Sequence, residues 1–214
     1  WWEFQYPEYG ITTASEMHVP VGRAVAVSLE TADVIHSFWF PAVGGKRDLV
    51  PTRVNHMWFT PDSVGEFPGQ CAELCGVSHA NMRMKLLVQT PEDFQAWAAA
   101  QQAPPVEPDS TSLAGRGKQV YLEVGCVACH TIRGVSPGIL GPDLTHIGTR
   151  STIAGSIYPN DAENMAKWVI GGEPADSTLI ETCRFNPGSD WTVERSPFPV
   201  PDDLSGIFLS GGLK

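Results

Sequence analysis

The chain has 214 residues, a formal net charge of −10 and an ordinary globular balance of 42% hydrophobic and 18% charged side chains. Its acidity argues against nucleic acid and against an anionic membrane surface as direct partners. No apolar run is long enough to span a bilayer and no leader pattern is visible, while the opening Trp1-Trp2 predicts a piece of a longer, membrane-anchored protein.

Taken in chain order, the first half reads as β-structure. Val25, Val27 and Leu29 alternate with small or polar residues, and Val54 to Thr60 and Met84 to Val88 are rich in apolar and β-branched side chains. Pro and Gly punctuate these strands, which predicts a small β-sandwich or barrel. A short helix closes the half, with Thr90 as N-cap, Pro91 at the first helical position, and Phe94 and Trp97 on one face. Ala98 to Ser112 reads AAAQQAPPVEPDSTS, a flexible linker by composition. The predicted division is therefore 1–97, a linker 98–112, and a second domain 113–214. The second domain reads as helical over Ser112 to Val124, Asp161 to Ile170 and Pro201 to Leu209. Met165, Trp168 and Val169 share one helical face, as do Leu204, Ile207 and Phe208.

Four of the five cysteines fall in two compact clusters that also hold histidines. Residues Cys71 to Met82 read CAELCGVSHANM, and His36 lies upstream in DVIHSF. Two thiolates, two imidazoles and a thioether are soft donors suited to copper. Two bridging thiolates can hold two copper ions close enough to share one electron, which keeps the geometry nearly fixed on redox change. On the residues alone, a Cys71–Cys75 disulfide or a structural zinc on His36, Cys71, Cys75 and His79 stays open. The second cluster, Cys126 to His130, reads CVACH, the signature of covalent c-type haem attachment with an axial histidine; a redox C-x-x-C pair is the alternative.

These segments, with SEMHVPVGRAV, TADVIHSFWFPAVGGKRDLVP and FPGQCAELCGVSHANM around the first cluster, resemble cytochrome c oxidase subunit II of the caa type. In such proteins a dinuclear copper (CuA) domain is followed by a fused cytochrome c domain. The resemblance implies a multi-domain fold, a cupredoxin-like all-β domain plus an all-α class I cytochrome c domain. It also implies bridging roles for Cys71 and Cys75, terminal ligation by His36 and His79, and weak ligation by Met82 and the carbonyl of Glu73. The Glu73 side chain would reach a magnesium ion at the subunit I interface. WWEFQYP resembles the aromatic segment after the family's second membrane helix, and by position Trp2 is where electrons enter; an interfacial anchoring role is equally open. GPDLTHIGTRSTIAGSIYPNDAENMAKW resembles the fused cytochrome, with the Pro142 carbonyl accepting from the axial His130.

The pattern breaks where the family's axial methionine belongs. Trp191, in NPGSDWTV, occupies that place, and no methionine follows Met165. The sixth ligand stays open among Met165, Cys183, His146 and a vacant position, with Met165 favoured because a relay haem needs little rearrangement. The implied function is electron relay on the periplasmic (outer) face of a bacterial membrane. Electrons pass from haem c to CuA and on to haem a of oxidase subunit I, the site of oxygen reduction. Small cytochromes, high-potential iron-sulfur proteins and quinol-oxidising complexes are the expected donors. A nitric oxide reductase subunit and a copper-delivery or thiol-redox module are the competing readings.

Overall fold

The computed structural model describes residues 1–171. The expected helix over Pro201 to Leu209, the NPGSDWTV phrase and Cys183 lie outside the described residues.

The first domain strings nine strands: β1 (Glu3–Tyr6), β2 (Ile11–Ala14), β3 (Glu16–Pro20), β4 (Val25–Leu29), β5 (His36–Phe38), β6 (Arg47–Leu49), β7 (Asn55–Phe59), β8 (Gly65–Gln70) and β9 (Arg83–Gln89). The β3 strand runs parallel to β9, and β9 pairs antiparallel with β8 on its other side. The remaining ladders, β4 with β7, β5 with β6 and β1 with β2, are antiparallel. Alternation sets the buried face as expected: Val25, Val27 and Leu29 turn inward on β4, and Met84, Leu86 and Val88 on β9. They meet Trp2, Phe4, Met17, Phe38 and Phe40, all fully buried. Pro and Gly do more than separate strands. Pro68 and Gly69 sit inside β8, an edge position that tolerates the missing donor of proline.

Helix α1 (Pro91–Gln102) starts as predicted, with the Thr90 hydroxyl accepting from the Asp93 amide at 3.1 Å. It does not stop at residue 97. Ala98 and Gln101 lie on its buried face, so AAAQQ continues the helix and the linker begins only at Ala103. Composition misled here because alanine is as good a helix former as it is a linker residue.

In the second domain α2 (Leu113–Glu123) is capped by Ser112, and α3 (Ala162–Ile170) is capped by Asp161 and closed by Gly171 in the left-handed region. Both helices fall at the expected positions. Between them lie two short hairpin ladders, β10 (Thr131–Ile132) with β11 (Ser136–Pro137) and β12 (Thr152–Ile153) with β13 (Tyr158–Pro159). The two domains are joined by side-chain hydrogen bonds as well as by the connecting chain: Glu16 receives Ser151 and Thr152, and Arg133 reaches the end of α1.

Candidate metal centre

The first cluster is assembled from one strand and one loop. Strand β5 carries His36 at zero exposure, and the loop between β8 and β9 carries everything else. That loop is closed at its base by the Cys71 amide donating to the Met82 carbonyl at 2.9 Å, and it is tied to β5 by the Ala72 amide donating to Ser37 at 2.9 Å. A 3-10 turn over His79–Asn81 swings His79 and then Met82 back toward the cysteines.

The sulfur atoms of Cys71 and Cys75 stand 3.7 Å apart and both cysteines are free. His36 Nδ1 lies 3.8 Å from the Cys71 sulfur, and His79 Nδ1 lies 3.5 Å from the Cys75 sulfur. The Met82 sulfur is 3.8 Å from Cys75, and the Glu73 carbonyl accepts from the Cys71 thiol at 3.2 Å. All six residues singled out from the sequence therefore converge on the two thiols. The donor set exceeds the four of a closed zinc site and is soft throughout, except for one carbonyl.

Asp33 was not singled out from the sequence. Its carboxylate holds His36 Nε2 at 2.9 Å, which leaves Nδ1 facing the sulfur. The signal was present in DVIHSF, an acid three residues before the histidine. Burial opposes a charged His36 ring, but the bonds to Asp33 and Cys71 outweigh it and raise its pKa. The hydrogen bond between the two cysteines lowers the Cys71 thiol against the opposing effect of burial and pushes Cys75 upward.

Trp2 is fully buried beside this cluster. Its indole N–H donates to the Met82 carbonyl at 3.3 Å, and its ring packs edge-on against His36 with centroids 6.4 Å apart. Zero exposure places Trp2 inside the domain, against the loop that carries the cluster, rather than on its surface. The Glu73 side chain is 43% exposed and stands 3.9 Å from Lys46. Around the loop, Ile35, Leu74 and Val77 are exposed.

The second cluster has a different construction. Cys126 opens a 3-10 turn (Cys126–Ala128) entered through Gly125 in the left-handed region, and Cys129 caps its end. The His130 Nδ1 atom is 2.8 Å from the Pro142 carbonyl, the contact expected of an axial histidine. Gly141 allows it: a Cβ there would sit 2.5 Å from the imidazole. Tyr121 donates to the His130 carbonyl at 2.9 Å and fixes the backbone behind the motif. Among the described residues beyond α1, Ile153 alone of the large apolar side chains is buried, while Val120, Val124, Ile139 and Leu140 are exposed. His146 is engaged elsewhere, its Nε2 lying 3.1 Å from the Ala103 carbonyl and beside Arg133. Met165 is half-buried on α3.

Residues 1–90 match the family model for the periplasmic domain of cytochrome c oxidase subunit II. The first domain belongs to that family. It is a β-sheet domain. Cytochrome c oxidase subunit 2 of Alkalihalophilus pseudofirmus is 44% identical over 169 residues, covering 79% of this chain and 48% of the relative. That of Bacillus subtilis is 36% identical over 179 residues, covering 79% of this chain and 50% of the relative. The chain thus spans about half the length of the curated relatives it matches. Among solved structures, the periplasmic domain of subunit II of cytochrome oxidase from Bradyrhizobium japonicum is similar at 35% identity, with a TM-score of 0.45, covering 48% of this chain and 86% of that one. Among the described residues no helix is long and apolar enough to cross a membrane.

Proposed function

We propose that this chain is the electron-relay part of a cytochrome c oxidase subunit II, taking electrons through a haem c and a CuA centre to subunit I. The observation that carries the reading is the convergence of His36, Cys71, Glu73, Cys75, His79 and Met82 within 3.2–3.8 Å contacts around one sulfur pair.

Bound there, two copper ions would share one electron across the two thiolates. Cys71 and Cys75 would bridge, with His36 and His79 as terminal ligands and Met82 and the Glu73 carbonyl as weak ones. Asp33 orients His36 and favours its sulfur-facing nitrogen. Trp2, pinned between Met82 and His36, serves as an internal conductor rather than as a landing site. The half-exposed Glu73 carboxylate is free to turn toward a magnesium ion and subunit I in the full complex, and the exposed Ile35, Leu74 and Val77 suit an apolar contact there.

In the second domain, Cys126 and Cys129 are positioned to attach a haem and His130 to ligate its iron. The His130 ring is fixed by Pro142, and apolar side chains such as Val120, Ile139 and Leu140 stand available to a flat apolar group. Met165 is the proposed sixth ligand. An all-α class I cytochrome c is the fold this reading requires of residues 113–214. The placement is periplasmic, facing a small cytochrome or comparable donor.

A metal count with a visible spectrum tests the whole. The relay predicts two coppers and one covalent haem per chain with a mixed-valence copper signature. A single exchangeable copper would mark a delivery module instead, and bound zinc would sink the CuA assignment.

A further inference from the structure

The carboxylate of Glu16 projects from β3, a core strand of the copper domain, yet the groups that donate to it belong to the other domain. Glu16 is 2% exposed. Its Oε1 accepts from the Ser151 amide at 2.9 Å, the Ser151 hydroxyl at 2.7 Å, the Thr152 amide at 2.8 Å and the Thr152 hydroxyl at 2.8 Å. Its Oε2 takes a second, longer bond from the Ser151 amide at 3.2 Å. A buried carboxylate is tolerated only when donors replace its water shell, and here those donors come from the start of β12. Lys85 supports the same point, its ammonium lying 2.9 Å from Ser151 Oγ and 2.9 Å from Glu66.

The junction leads directly to the copper cluster. The Ser156 hydroxyl donates to the Ser15 carbonyl at 3.2 Å, the Ser15 amide donates to the Trp2 carbonyl at 2.7 Å, and the Trp2 indole donates to the Met82 carbonyl. On the other side, Arg150 precedes Ser151 and its guanidinium donates to the Asp143 carbonyl, next to the Pro142 that holds His130. A continuous run of covalent and hydrogen bonds therefore joins the two clusters, and it crosses between the domains at this hairpin.

We propose that Glu16 is a positioning residue that docks the second domain on the copper domain in one orientation, and that this orientation sets the rate of electron passage between the two sites. The second half rests on the relay function proposed above; the docking half does not. Tunnelling falls steeply with distance and with through-space gaps, so a domain free to tumble on residues 103–112 would pass electrons slowly and heterogeneously. The docked hairpin removes that freedom.

The test uses the full chain with copper and haem loaded, comparing wild type, Glu16→Gln, the double variant Ser151→Ala/Thr152→Val, and Thr152→Ser. The double variant leaves the core strand untouched and guards against misfolding of Glu16→Gln. Two quantities are read: the rate of protease cleavage within 103–112, and the flash-induced haem-to-copper transfer rate, with both potentials measured as controls. Losing hydrogen bonds to a buried charge should loosen docking by about tenfold or more. Glu16→Gln and the double variant should therefore be cleaved faster and transfer electrons at least about tenfold more slowly at unchanged potentials, while Thr152→Ser stays near wild type. Wild-type cleavage in both disrupted variants would overturn the docking role. Faster cleavage with unaltered transfer would overturn the link between orientation and rate. A wild-type chain that binds both cofactors yet passes no electron between them would refute the relay function, and the cleavage comparison would still decide the docking.

Discussion

His36 divides its ring between a carboxylate and a sulfur, and the chemistry of the copper cluster follows from that division. With Asp33 on Nε2, the Nδ1 lone pair is presented to metal without rotamer search. Asp33→Asn keeps a hydrogen-bonding group but removes the charge; copper affinity should fall by about 10–100-fold, measured by competition with a chelator. Cys71→Ser should go further and abolish the dinuclear centre, because a hydroxyl is a poor bridge for soft copper. A mixed-valence spectrum surviving in that variant would remove the bridging assignment. The convergence of these side chains was legible in the sequence, because sulfur and imidazole at C-x-x-x-C-x-x-x-H-x-x-M spacing suit a soft metal site. The burial of Trp2 was not, since nothing in WWEFQYP tells an indole at the surface from one packed under a loop.

His18 shows a second residue-scale effect, remote from copper. It stacks on Trp97 at 4.1 Å and bonds Gln89 at 3.0 Å, and burial lowers its pKa below the ordinary 6.5. The unfolded chain then binds a proton that the folded chain refuses. Stability from this site is complete above pH 6.5 and is lost as pH falls toward the lowered folded value. The urea midpoint of the wild type should drop between pH 7.5 and pH 5.5, and His18→Gln should show a shallower drop over the same interval.

At the scale of elements, alternation announced β4, and apolar, β-branched composition announced β7 and β9, within a residue or so, while β3 and β8, as long as β4 or longer, were not announced. The short strands β5 and β6 carry three residues each and are defined by partners distant in sequence, which no local period reveals. Gly69 marks the same limit. Read as punctuation, it is instead a place where β8 presses against the Phe40 ring; a Cβ there would lie 2.3 Å from ring carbons and 3.0 Å from Met84. Both neighbours are buried and have nowhere to go. Gly69→Ala should cost about 1–3 kcal/mol or more in chemical denaturation, through overpacking. A neutral result would show that β8 can move away from Phe40.

For the whole molecule, the unsettled quantity is how far the domains depend on each other. The buried core of the copper domain is contributed by residues from Trp2 to Ala98, and α1 seals it with Phe94 and Ala98. Among the described residues, the second domain adds hydrogen bonds at its edge, among them the Glu16 set, Ser156 to Ser15 at 3.2 Å, Gln101 to Thr149 at 3.1 Å, and Arg133. Arg133 donates to the Gln101 and Ala103 carbonyls at 2.5 and 3.0 Å, supplying partners and positive charge at the end of α1, where helix carbonyls lack both. A fragment of residues 1–102 keeps the whole core, so it should unfold cooperatively and take up copper alone. Its Glu16 returns to water when the hairpin leaves, and no buried charge is stranded. A fragment ending at residue 97 loses Ala98 and Gln101 from the buried face of α1 and should be clearly less stable. Cutting at 97 rather than 102 was the division that composition suggested, and comparing the two fragments by thermal melting decides between them. Equal melting temperatures would mean that the last turns of α1 hold nothing in place. A failure of the 1–102 fragment to bind copper would mean that the second domain, through Glu16 or Arg133, is needed to shape the copper loop itself.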